Sequence, residues 1–95
     1  MARVITVDSH CTVTIIPLEI HTFRFKTAGK MSMINYGDGD LWISRRADVE
    51  PAIDSEKCAL LKSGAIYDNE GGTHGVMADI KVMSKDAALV SLTVG

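Results

Sequence analysis

The chain has 95 residues, 46% hydrophobic and 23% charged, with only two prolines. That profile belongs to a folded chain with room for one core, not to a disordered one or a pair of domains. Ten Lys and Arg against twelve Asp and Glu leave a net charge of −2, without the basic footprint that a phosphate backbone demands, so no nucleic-acid partner is expected.

No apolar run approaches the ~20 residues of a membrane span. Met1, Ala2 and Arg3 lead into Val4, Ile5, Thr6 and Val7 without an apolar leader or a cleavage site. The expectation is a protein made in the cytoplasm with no signal peptide and no membrane partner.

Residues 4–7 and 12–16 predict the first two strands, separated by the turn-formers Asp8, Ser9 and His10. Pro17 ends the second. In residues 20–27, Phe23 and Phe25 share one face while Arg24 and Lys26 take the other, the period of two that a half-buried strand requires. Ala28, Gly29 and Lys30 close that strand, and residues 31–36 set Met31, Met33 and Asn35 against Ser32, Ile34 and Tyr36. Gly37, Asp38, Gly39 and Asp40 tolerate positive φ and predict a tight hairpin whose return strand is residues 41–44.

Residues 45–57 break the alternation, with Asp48, Glu50, Asp54 and Glu56 gathered around Pro51. They predict a surface excursion with one helical turn from Ser55. Lys62, Ser63 and Gly64 turn into a short strand at 65–67. Residues 68–75, with Gly71, Gly72 and Gly75, predict a mobile loop. Finally, 76–83 and 87–94 predict a hairpin across Ser84, Lys85 and Asp86. Val76, Ala78, Ile80 and Val82 oppose Met77, Asp79, Lys81 and Met83 in its first arm; Ala88, Val90, Leu92 and Val94 oppose Ala87, Leu89, Ser91 and Thr93 in its second. About eight short strands must fold over to hide their apolar faces. The predicted fold is all-β: a single compact β-sandwich over residues 1–95, with jelly-roll or Greek-key connections.

Chemistry-bearing patterns are missing. A cupin-like metal barrel needs His-x-His followed by Glu, whereas His10, His21 and His74 are far apart, and the neighbours His10 and Cys11 point to opposite faces of a strand. Asp38 and Asp40 start like a calcium loop but lack its distal Glu; turn chemistry accounts for them. Asp68, Asn69 and Glu70 could hold a cation only loosely. No Ser, His and Asp set and no phosphate loop occurs. The reading is a non-enzyme with no catalytic residue, no metal and no cofactor. Cys11 and Cys58 fit no ligand spacing and are expected to be reduced, small buried hydrophobes, with a single bridge joining them as the alternative.

Contact residues are easier to nominate. If Leu41 and Ile43 face the core, the pleat turns Trp42 outward as an interface anchor; the alternative places Trp42 itself in the core. Arg24 and Lys26, with Lys30, form a basic stretch; Arg45 and Arg46 precede the acidic Asp48 and Glu50. A solvated surface explains that asymmetry, and so does head-to-tail pairing of identical subunits.

The run Ile34, Asn35, Tyr36, Gly37 followed by Asp40, Leu41, Trp42, Ile43, Ser44, and later Leu60 through Tyr67, resembles the small β-sandwich virion proteins of tailed bacteriophages. In these an Asn and Gly turn precedes a strand, and a Leu, polar, Gly step precedes an aromatic strand. The resemblance implies a capsid decoration (cement) protein, often a homotrimer, that binds the major capsid protein or another virion protein and bridges neighbouring subunits. Its docking elements would be loops 45–57 and 68–75 and the arm at residues 2–7. Two alternatives stand beside it: a phage tail or fibre carbohydrate-binding module, and a non-viral β-sandwich adaptor.

Overall fold

The computed structural model describes residues 2–26, 30–45, 48–69 and 79–94. Within them lie β1 (Ala2–Val7), β2 (His10–Ile15), β3 (Ile20–Phe25), β4 (Met31–Asn35), β5 (Leu41–Ser44), β6 (Ala59–Leu61), β7 (Ile66–Asn69), β8 (Ile80–Ser84) and β9 (Ala88–Val94). They form a five-stranded sheet of order β1-β3-β8-β5-β6 and a four-stranded sheet of order β2-β9-β4-β7.

Antiparallel pairs nest from the outside in: β2 with β9, β3 with β8, β4 with β7, β5 with β6. This is one long folded-over hairpin rolled into two layers, a jelly roll, as the sequence predicts. To it β1 adds a six-residue parallel ladder on β3, from Ala2 opposite Ile20 to Val7 opposite Phe25. Residues 2–7, expected to be a docking arm, are therefore a sheet edge.

Both predicted hairpins are corrected. Residues 37–40 carry the chain from β4 in one sheet to β5 in the other, and residues 85–87 carry it from β8 to β9. These connections are arches. Every hydrogen-bonding edge a hairpin would need is already taken: β4 lies between β9 and β7, and β5 between β8 and β6. Crossing over also stacks the apolar faces of consecutive strands against each other, where a hairpin would set them side by side. Among the described strands, only β5 and β6 are both consecutive in sequence and paired.

Period two is obeyed within the strands. Phe23, Phe25, Leu41, Ile43, Leu61, Ile80 and Val82 from one sheet meet Val13, Ile15, Met31, Met33, Ala88, Val90, Leu92 and Val94 from the other. Hiding a large apolar side chain stabilises by about 1.5–3 kcal/mol, which makes this single cluster the main source of stability. Cys11 packs half-buried against its margin, and Cys58 is a half-buried free thiol in the β5–β6 excursion, so neither is the fully buried residue expected.

Among the described residues four polar ones are buried: His21, Asn35, Ser44 and Ser84. Asn35 ties two corners together. Its Nδ2 donates to the carbonyls of Gly39 (2.8 Å) and Leu61 (3.2 Å), and its Oδ1 accepts from the Gly37 N–H (2.9 Å). Its backbone bonds Ala65 and Gly64 as well. Gly37 must be glycine, because a Cβ there would lie 2.7 Å from Ala88 Cα. The Asn35, Gly37 turn and the Leu61, Ser63, Gly64 step that carry the resemblance are thus one contiguous joint, closed by Ser63 Oγ donating to the Gly37 carbonyl.

Candidate functional site: a groove floored by Trp42

On β5 the pleat sends Leu41 and Ile43 into the core and leaves Trp42 half-buried on the outer face of the five-stranded sheet. There Trp42 stands opposite Leu60 of β6 and Met83 of β8, an apolar row across three strands. The excursion from β5 to β6 folds back over this face. Ser44 Oγ donates to the Val49 carbonyl (2.6 Å), Lys81 Nζ reaches Glu50 Oε1 (3.3 Å), and Pro51 is buried beneath. Where a helical turn was expected, a single turn closes with Cys58 N–H on the Ser55 carbonyl (3.3 Å).

Between the excursion and the arches lies an open cleft of about 560 Å³, lined by Leu18, Asp38, Gly39, Asp40, Trp42, Ile53, Asp54, Lys85 and Asp86. Three connections supply its walls: the β2–β3 arch brings Leu18, the β4–β5 arch Asp38 to Asp40, and the β8–β9 arch Lys85 and Asp86. Leu18 holds a left-handed conformation (φ 63°) and is 63% exposed. A leucine rarely adopts that backbone, so the surrounding contacts must enforce it. One is Leu18 N–H on the Ser84 carbonyl (2.8 Å).

The other is His21. Its Nε2 accepts the Ile16 N–H (3.2 Å), which fixes the neutral tautomer whose Nδ1–H donates to the Glu19 carbonyl (3.1 Å). Burial is the main cause holding its pKa below the ordinary 6.5, against the opposing pull of the Glu19 hydrogen bond. A histidine that reads as a stray residue in the sequence is therefore the pin of the arch carrying Leu18.

The nominated contact residues separate. Arg24 lies on the outer face of β3 and pairs with Asp79 (3.2 Å); Lys26 pairs with Asp8 (3.7 Å). Arg45 is exposed, Asp48 is exposed but engaged by a partner, and Glu50 holds Lys81. Arg46, most of loop 68–75 and residues 76–78 of the predicted strand 76–83 lie outside the described residues; Asp68 is part of β7, its carboxylate accepting from Ser32 Oγ. Sequence reasoning missed Leu18, Ile53, Asp54, Lys85 and Asp86 as companions of Trp42. No local signal could gather them, since four separate connections meet here.

The opposite face of the molecule carries its own apolar patch. Tyr36 (60% exposed), Ile66 (59%) and Leu89 (42%) cluster with half-buried Ile34 on the outside of the four-stranded sheet. Single exposed apolar residues are ordinary, whereas contiguous groups mark contact surfaces.

A filled apolar interior between two sheets defines the class: a jelly roll, with nine strands among the described residues, whose distinctive features lie on its outer faces. Three solved structures share this fold. PirA superposes with a TM-score of 0.60 at 10% identity, over 94% of this chain and 95% of that one. A protein of unknown function from Vibrio parahaemolyticus gives 0.55 at 17%, over 88% and 72%. A cupin-2 domain containing protein from Shewanella frigidimarina gives 0.50 at 16%, over 87% of this chain and 65% of that one. None of the three is named as a virion protein, and at these identities the likeness is of fold alone. No family model and no curated protein matches the sequence. Among the described residues no three His, Cys, Asp or Glu side chains converge as metal ligands.

Proposed function

We propose that this protein is a structural virion component of the capsid decoration type, a homotrimer by expectation, that binds an assembled phage shell and bridges neighbouring subunits without catalysis or cofactor. The observation that carries this reading is the pair of apolar surfaces on opposite outer faces, the Trp42 row on one sheet and the Tyr36, Ile66, Leu89 patch on the other. A bridging element needs two contact surfaces facing apart. Many weak contacts of this kind add up when copies tile a lattice, and burial in the assembly stabilises a small domain.

A carbohydrate-binding module would gather its aromatics around one groove. Here Trp42 lies on one sheet, Tyr36 is exposed on the other, and Tyr67 packs partly against the core, which weighs against that alternative.

Quantitative mass spectrometry of particles purified from cells carrying the gene tests the proposal. The expected result is this chain at a fixed ratio to the major shell subunit, with trimers by light scattering in solution. Absence from particles, or turnover of a metabolite by the purified protein, overturns it.

A further inference from the structure

We propose that the Trp42 groove binds an extended segment of a partner protein through an arginine side chain laid on the indole. The cleft has a floor and a rim of different chemistry. Its apolar lining is Trp42 and Ile53, with Leu18 on the wall. Its rim carries four carboxylates, Asp38, Asp40, Asp54 and Asp86, against one cation, Lys85. None of the four carboxylates has an ion-pair partner among the described residues.

An arginine fits both parts. Its aliphatic stem covers apolar surface while its planar guanidinium stacks on an indole and donates to carboxylates in a fixed fork. Within this chain Arg24 is already paired with an acid, whereas Arg3 and Arg45 are exposed, so a second copy is the rival occupant that the experiment separates from a partner protein. The inference holds whether or not the partner is a shell subunit, so failure of the virion reading leaves it standing.

Trp42 is the sole tryptophan, which makes its emission a direct reporter. The probe is a capped Leu-Arg-Leu-Arg-Leu peptide, with Leu-Glu-Leu-Glu-Leu as control. The expected result is a saturable change in Trp42 emission with the arginine peptide, at least about tenfold weaker with the control and weakened by salt. Asn at positions 38, 40, 54 and 86 keeps shape and turn chemistry and removes only charge. The quadruple variant should bind about tenfold or more weakly, since each exposed ion pair contributes a factor of a few, and should melt no lower than the parent because repulsion is relieved. If it fails to fold, the pair D40N/D86N gives the same reading at smaller amplitude.

Equal response to both peptides, or unchanged binding by the charge variants, overturns the inference. Saturation by Ca²⁺ alone would make the groove an inorganic cation site and overturn it too. Self-association lost in the charge variants would identify the occupant as a second copy, with the same consequence.

Discussion

Replacing Asn35 by alanine should remove a large part of the folding free energy without touching any apolar contact of the core. Three side-chain hydrogen bonds disappear, to Gly37 N–H and to the carbonyls of Gly39 and Leu61. At a net value of about 1 kcal/mol each, with a further ~1 kcal/mol for the Leu61 carbonyl left dry and unpaired, the loss is about 4 kcal/mol. A domain of this length has roughly 5–14 kcal/mol in total. The melting temperature should therefore fall by about 15–30 °C, at ~4–8 °C per kcal/mol. Asn35→Asp should be at least as damaging, because a carboxylate would face two carbonyl oxygens where the amide donated. Urea titration followed by circular dichroism is the assay, with the midpoint moving and the slope unchanged. A loss below about 1 kcal/mol for Asn35→Ala would refute the assignment of this residue as the joint between the two corners.

Gly37→Ala should cost about 2–3 kcal/mol in the same titration, since its new Cβ meets the Ala88 backbone and neither element can shift freely. Trp42→Ala should leave the circular dichroism spectrum unchanged and weaken assembly or peptide binding; loss of folding would place Trp42 in the core after all. His21, flanked by Arg3 and Glu19, sets a pH dependence. Because its folded-state pKa lies below 6.5, its stabilisation is fully present above pH 6.5. It declines as the pH falls below that value, where the unfolded chain protonates first, and levels off once the folded imidazole takes its proton. His21→Gln should flatten the stability profile across that window; an equally steep profile would contradict it. Leu89→Lys should reduce self-association in light scattering while the melting temperature moves by no more than a few degrees.

Alternation was legible wherever a strand had one wet face: Phe23 and Phe25 against Arg24, Met31 and Met33 against Ser32, Val90 and Leu92 against Ser91. Pairing was not. A Gly and Asp corner that tolerates positive φ serves a hairpin and an arch equally well, and the choice between them is made by strands β7 and β9, which come dozens of residues later. β6 was missed as a strand because it is short and follows an acidic stretch, so its apolar character had no period to display. Outward placement of Trp42 could be argued from Leu41 and Ile43 alone, but its neighbours could not, since they arrive from four separate connections. Asn35 was assigned to the correct face, while nothing local showed that its amide would reach the Leu61 carbonyl.

The interleaving of the two sheets has a consequence for biosynthesis. β9 inserts between β2 and β4, so the four-stranded sheet has a gap at its centre until β9 leaves the ribosome. Earlier segments have almost no local partner to zip with, and such long-range topologies form slowly. β2 and β4 must then wait for β9 before their sheet can close, and that closure is one late step. Trimming β9 should leave no half-built intermediate, only an unstructured chain.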